Sequence, residues 1–303
     1  HMEYRQLGRS DLKVSAIGLG AVTFSREIDD TAAFAIMDHA LDRGINLIDT
    51  AEAYNKGGSE TVVGRWFKAS GKRDKVILAT KLIPPLTAER IPHAAEASLR
   101  RLQTDVIVLY QVHAFDKNTP MDESLAALSK LVEEGKVRYL GCSNFAAWQL
   151  CKALWRADVN GWPRLESVQP NYNLAIRDIE KEMLPFCADQ QIGVISYSPL
   201  GAGFLTGKYS QSWTAPQGTR FDIIPDHWAV YENALSMQRM EKLRSEAAES
   251  GRSMVQLALA WVLGQPGITS TLIGGRTTAH IDQAFEAAEA GLSAELRGRL
   301  NSW

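Results

Sequence analysis

Cysteine is scarce. Cys142, Cys151 and Cys187 are the three in 303 residues, an odd number without the paired spacing that builds a zinc site or a dithiol redox motif. They are expected to be reduced, structural thiols in a cytoplasmic compartment, where disulfides are rare. Cys142 precedes Ser143 but is expected to serve packing. Long apolar runs are missing too. No stretch reaches the roughly 18 to 20 apolar residues that span a bilayer, and the amino end lacks the charged-then-apolar order of a secretion signal. A soluble chain with no membrane partner is expected. Excess charge of one sign is also absent: 33 basic against 35 acidic side chains leave -2, too weak a field to gather nucleic acid or an anionic membrane. Any phosphate must be met by local cations. No acidic or histidine cluster has the spacing of metal ligands, which disfavours a metal-dependent hydrolase or isomerase. The dinucleotide-binding fingerprint is lacking as well, because Gly18 and Gly20 have no third glycine and no helix opens directly after them.

What is present is a globular composition. Hydrophobic residues make up 45% and charged residues 22%, enough for a large core and without bias toward disorder. His1 before Met2 reads as a tag remnant. The length allows two domains, but α/β barrels of this size commonly form one, so a single domain over 1–303 is expected. Residues 4–7 and 12–15 flank a turn cluster from Gly8 to Asp11, which predicts a β-hairpin placed to plug a barrel. Strands are then predicted over 17–20, 47–49, 76–81, 106–110, 137–142, 168–170, 194–197 and 271–273. Helices are predicted over 30–43, 57–68, 91–101, 121–134, 146–157, 179–190, 232–248, 254–263 and 279–290. Eight strands alternating with helices favour a parallel sheet closed on itself, an α/β fold of the (β/α)8 TIM-barrel kind. From Gly201 to Val230, after the seventh strand, Gly, Ser, Pro and Trp replace helical periodicity. A loop this long inside a compact domain is usually functional.

The polar residues that end these strands carry the chemistry. The run at 47–49 ends on Asp49 and is followed five positions later by Tyr54; later runs lead into Lys81, His113, and Ser143 with Asn144. Strands of a parallel barrel point one way, so these side chains converge on one face. Reducing a carbonyl needs a hydride at carbon and a proton at oxygen. A free phenol, with a pKa of about 10, gives up its proton reluctantly near neutral pH. A neighbouring ammonium stabilises the phenolate, and a carboxylate buried beside the ammonium keeps it charged and in place. Tyr54, Lys81 and Asp49 fit donor, tuner and anchor.

With DTAEAY at 49–54, ATK at 79–81, the strand-borne His113, GCSN at 141–144 and SYSPLGAGFLTGKY at 196–209, the chain resembles the aldo-keto reductase family from Tyr4 to about Phe285. It is similar above all to the potassium-channel β-subunit-like and bacterial sugar or aldehyde reductase branches. The resemblance implies hydride transfer between NADPH, rather than NADH, and an aldehyde or ketone, a sugar or other polar carbonyl, or the matching alcohol. It makes Asp49, Tyr54 and Lys81 catalytic and has His113 hold the substrate carbonyl.

For the cofactor, the resemblance implies Gly20, Ala21 and Asp49 at the barrel mouth and Ser143, Asn144 and Gln169 on the nicotinamide carboxamide. Tyr197 would face the ring, and Ser198, Pro199, Leu200 and Gly201 would follow the phosphates. Lys208 and Arg220 match basic positions of the loop that covers the pyrophosphate, and Gly274, Arg276, His280 and Gln283 lie in the segment that holds the adenosine 2′-phosphate. His280, Gln283 and Ala284 depart from the family, which there carries Gln or Arg, Glu, and Asn. The alternative within the resemblance is a channel-β-like subunit that holds NADPH as a redox sensor with little turnover. Such subunits carry Asn at the place of His113, so His113 favours turnover. The short stretch after the last predicted helix implies a pocket more open than in aldose-reductase-like members.

Trp148, Trp155 and Trp261 on predicted helices, and Trp162 just beyond one, are expected to pack in the core. Trp213 and Trp228 in the long loop are candidates to reach substrate or cofactor. Lys72, Arg73 and Lys75 read as a solvated charged face. Glu52 is expected either to orient Lys81 or to face water.

Overall fold

In a computed structural model of the protein, eight short apolar runs become the staves of a closed parallel barrel in the order β10-β3-β4-β5-β6-β7-β8-β9. The structure describes residues 1–209, 215, 217–223 and 225–303; Trp213 lies outside the described residues. A two-stranded hairpin, β1 (Tyr4–Gln6) and β2 (Lys13–Ser15), precedes the barrel. The staves are β3 (Ile17–Gly20), β4 (Leu47–Asp49), β5 (Ile77–Leu82), β6 (Ile107–Val112), β7 (Val137–Ser143), β8 (Leu165–Gln169), β9 (Gly193–Ser196) and β10 (Ser270–Ile273). Around them lie α1 (Asp30–Asp42), α2 (Gly58–Ser70), α3 (Arg90–Leu102), α4 (Met121–Glu133), α5 (Ala147–Asn160) and α6 (Met183–Gln190). The short α7 (Arg220–Ile223), then α8 (Ala234–Ser250), α9 (Met254–Leu263), α10 (Thr278–Ala290) and α11 (Ala294–Asn301) complete the ring. No helix among the described residues is long and apolar enough to cross a membrane.

Strand residues alternate between the barrel interior and the helix layer. Leu47, Ala79, Leu109, Ile195 and Leu272 form one buried cluster together with Leu7, Leu12 and Val14 of the hairpin. The hairpin therefore plugs the barrel as its sequence predicts. The plug is close-fitting: a Cβ on Gly193 would sit 2.3 Å from Leu7 Cδ1, so only glycine leaves room for that leucine. Outside the barrel the apolar faces of the helices bury against the strands in two large clusters. Helices α2 and α3 approach so closely that a Cβ on Gly64 would meet the Arg101 carbonyl oxygen at 2.1 Å.

Two helices differ from the sequence reading. The predicted helix over 179–190 is a 3-10 turn, Asp178–Glu180, followed by α6 from Met183. Pro185 explains the later start: beginning at Met183 places its missing N–H in the first turn, where no intrahelical bond is needed. Helix α11 was not predicted, although Ser293 accepts from Leu296 N at 3.1 Å as its cap and Leu296 and Leu300 are buried one turn apart. The stretch after β9 is also more regular than its composition suggests, with 3-10 turns at Gly201–Thr206 and Pro225–Val230 flanking α7.

Candidate active site

Register delivers the polar residues to one end of the barrel. Gly20 pairs with Asp49, Lys81 with Gln111, and Ser143 with Gln169. Asp49 and Lys81, each 1% exposed, are thus set on neighbouring staves inside a wall of apolar residues. The Lys81 ammonium donates to Asp49 Oδ1 at 2.5 Å, to the Thr50 carbonyl at 3.0 Å and to Tyr54 Oη at 3.0 Å. Three donors meet three acceptors, so the buried cation is fully satisfied. Burial works against its charge, but Asp49 and Tyr54 outweigh it and hold the ammonium pKa above that of a free lysine.

Tyr54 reaches this point because the chain turns sharply after β4. It opens a 3-10 turn, Tyr54–Gly57, in which Asn55 and Lys56 adopt left-handed φ of 49° and 53°. Asn55 supports its conformation by donating to the Ser25 carbonyl and hydroxyl, both at 2.7 Å. The Tyr54 ring meets the His113 ring edge-on, centroids 5.9 Å apart. Burial, and then the Lys81 charge, push the His113 pKa down to about 4, so the imidazole is neutral near pH 7. Its buried Nδ1 has no hydrogen-bond partner among the described residues. Asp49, Tyr54, Lys81 and His113 therefore meet as their places on the strands predict.

The other carboxylate oxygen of Asp49 accepts from Gln111 Nε2 at 2.8 Å and Gln169 Nε2 at 3.0 Å. Gln111 was missed from the sequence. It stands two residues before His113 in an apolar run, and alternation alone aims it inward with His113; that was the available signal. Gln169 is turned toward this inner network, also donating to Gln111 Oε1 at 2.9 Å. Ser143 donates to the Gln169 carbonyl at 2.7 Å. Asn144, with a left-handed φ of 57°, donates to the His113 carbonyl at 3.1 Å and accepts from the Tyr197 hydroxyl at 2.6 Å. Burial pushes the Tyr197 phenol up to about 12.

A second group of residues gathers cations beside the mouth. Arg26 and Arg276 oppose the charge of Arg220, and Lys208 and Arg276 oppose protonation of His280, each after burial as the larger cause. The Glu27 carboxylate stands by Arg26 at 2.6 Å. Among the described residues, Arg220 Nε is buried without a hydrogen-bond partner. Arg276 donates to the Gly218 carbonyl at 2.9 Å, which ties the β10–α10 corner to the segment after β9. His280 Nδ1 accepts from Arg276 N at 3.1 Å, while Gln283 projects from α10 as an exposed residue. Ala21 N donates to the Asp49 carbonyl at 2.9 Å, so Gly20 and Ala21 stand at the rim beside Asp49, and Gly274 follows β10. Ser198, Pro199, Leu200 and Gly201 turn the chain away from β9, with Ser198 and Gly201 left-handed at φ 52° and 63°. The buried orphan atoms and the cation cluster fit a polar, anionic ligand at this end of the barrel.

Several expectations fail for packing reasons. Glu52 neither orients Lys81 nor faces water: it accepts from Ile83 N and Arg90, both at 2.7 Å. Arg73 is not solvated; it donates to Thr104 and to the Val76 and Val106 carbonyls, and burial lowers its pKa. Lys72 pairs with Asp38 at 3.0 Å, so of the three only Lys75 is exposed. Trp148 and Trp155 lie on the outer face of α5, 60% and 56% exposed, while Trp261 is fully buried. Trp228, the candidate to reach substrate or cofactor, is not among these failures: it packs at 5.6 Å from Phe204 and 5.1 Å from Phe221 within an aromatic cluster. Cys142 and Cys187 are buried but Cys151 is exposed.

A closed parallel barrel with an acid, a lysine, a phenol and an imidazole converging at one end defines a class. The sequence model of the aldo/keto reductase family matches residues 16–302, and the chain belongs to that family. It is 39% identical to the oxidoreductase YrpG of Bacillus subtilis, over 99% of this chain and 95% of that protein. It is 32% identical to versiconal hemiacetal acetate reductase of Aspergillus parasiticus, over 97% and 94% of the two chains. A probable voltage-gated potassium channel subunit beta of Arabidopsis thaliana is 31% identical, over 95% and 92%. Members of this family are oxidoreductases that generally use NADH or NADPH.

Proposed function

We propose that this oxidoreductase is an NADPH-dependent carbonyl reductase in which Tyr54 gives a proton to the carbonyl oxygen of an aldehyde or ketone, a sugar or other polar compound. One observation carries the reading: a buried ammonium, Lys81, donates at once to the Asp49 carboxylate and the Tyr54 phenol. When the phenolic proton leaves, charge develops on the oxygen that already accepts from Lys81, where a preorganised cation is worth most. Asp49 keeps that ammonium charged. His113, neutral near pH 7, orients the carbonyl by a hydrogen bond without adding charge to the site. The bound nicotinamide supplies the hydride.

Ser143, Asn144 and Gln169 would hold the carboxamide, Tyr197 the ring face, Ser198 to Gly201 with Lys208 the pyrophosphate, and Arg220, Arg276 and His280 the 2′-phosphate. Gln283 and Gly274 would border the adenosine, and Gly20 and Ala21 the mouth. The cation cluster supports NADPH over NADH, because a 2′-phosphate adds charge that guanidinium groups bind through forked hydrogen bonds. The chain would act as one domain, in the cytoplasm, on small molecules.

A second reading, a channel-β-like redox sensor with little turnover, is favoured by the likeness to the Arabidopsis channel subunit. Incubating pure protein with NADPH and a panel of aldehydes and ketosugars, then NADP with the alcohols, tests both. Loss of NADPH absorbance with multiple turnovers is expected; tight NADPH binding without turnover on any carbonyl would favour the sensor, and no binding would overturn both readings.

A further inference from the structure

We infer that Gln111 is a positioning residue that fixes which way the Gln169 amide faces and so makes the site select the amide form of a nicotinamide cofactor. The inference rests on the cofactor reading above, but the geometry behind it is internal to the barrel. Gln111 is 0% and Gln169 2% exposed, and both touch Asp49, itself 1% exposed. Asp49 Oδ2 is a charged acceptor, so whatever faces it must donate. Gln111 meets that demand with its NH2 group, which donates to Asp49 Oδ2 at 2.8 Å and to the Thr80 carbonyl at 3.4 Å. Its amide oxygen is thereby turned to the other side, where it accepts from Gln169 Nε2 at 2.9 Å.

Gln169 is now constrained twice. Its two amide protons go to Gln111 Oε1 and to Asp49 Oδ2, the latter at 3.0 Å. Rotating the amide by half a turn would set its oxygen against two acceptors, one of them ionised, leaving Gln111 Oε1 without its donor and Asp49 Oδ2 with Gln111 alone. What Gln169 has left for a ligand is therefore an oxygen only. Ser143 is in the same position, since its hydroxyl proton is spent on the Gln169 carbonyl at 2.7 Å. Two acceptors and no donor from this pair recognise an N–H2 group and reject a carboxylate. Without Gln111, Gln169 keeps one inner partner instead of two and can turn its NH2 outward.

The experiment measures dissociation constants by fluorescence for NADP and for its deamido form, in which nicotinic acid replaces nicotinamide. Wild type is expected to bind the amide form about tenfold tighter or more, the worth of a charge-assisted hydrogen bond gained or denied. Gln111→Met, similar in volume, should narrow that ratio at least threefold. Equal weakening of both ligands in Gln111→Met, with the ratio unchanged, would reduce Gln111 to packing and overturn the inference. So would equal affinity of wild type for the two forms, a result that needs no variant to fold. Failure of wild type to bind NADP at all would instead strike the cofactor reading.

Discussion

Replacing Tyr54 with Phe removes one oxygen and leaves a ring of the same shape against His113 at 5.9 Å. Turnover should fall by about 100-fold or more, the usual worth of a placed proton donor, while NADPH affinity, followed by titration, stays within a few-fold. Lys81→Met is a harsher change. It leaves the Asp49 carboxylate, 1% exposed, without its counter-charge, and breaking a buried pair from one side costs about 3 to 5 kcal/mol. Urea denaturation should record that loss together with the loss of activity; a variant as stable and active as wild type would refute the pairing. His113 makes a prediction about pH. Its folded pKa, about 4, lies below the unfolded value of 6.5, so between the two the unfolded chain binds more protons and stability rises with pH. Stability should fall as pH drops from 6.5 toward 4, and His113→Asn should flatten that part of the curve. Strand-end position made Asp49, Tyr54, Lys81 and His113 legible in the sequence, since alternation and barrel polarity decide where they go. Gln111 was not legible, because an amide inside an apolar run has no partner in view until Asp49 and Gln169 are brought across the barrel.

Helices were readable where caps and periodicity agree, as at α1, where Asp29 accepts from Ala32 N at 2.9 Å. They were misread where one residue overrules periodicity, as Pro185 does at α6. Orientation was harder than existence: the tryptophans of α5 were placed inward, although the buried stripe of that helix is Leu150, Ala153 and Ala157, and Trp148 and Trp155 stand on the opposite face. The β10–α10 corner carries the prediction of this scale. Arg276 holds Gly218 at 2.9 Å across two elements and belongs to the cation cluster. Arg276→Ala should weaken NADPH by about 1.5 to 3 kcal/mol, as for a hydrogen bond to a charged group, and NADH much less, in parallel titrations. Equal losses for the two cofactors would give Arg276 a purely structural role, and tighter wild-type binding of NADH would remove the preference for NADPH.

The barrel as a whole depends on its plug. Leu7 is fully buried at the end of the ring opposite Asp49, Tyr54, Lys81 and His113, so Leu7→Ala opens a cavity far from the chemistry. Stability should drop by about 2 to 5 kcal/mol with kcat for any accepted carbonyl nearly unchanged below the melting range. A large loss of kcat at full stability would mean that the two ends are coupled. The closure was legible as a count of eight strands, but its tightness was not, since it rests on contacts such as Leu7 against Gly193. Closure also sets a schedule. Ile17 pairs with Thr271, and Leu19 with Ile273, partners 254 positions apart by the difference of those numbers. At about 5 to 20 residues per second, a ribosome leaves the first stave without one neighbour for on the order of 10 to 50 s. Through that wait the exposed edge is Ile17-Gly18-Leu19-Gly20, short and half glycine, a poor template for a foreign strand. The glycines that make β3 a weak strand thus protect the nascent chain from its neighbours until its own last stave arrives.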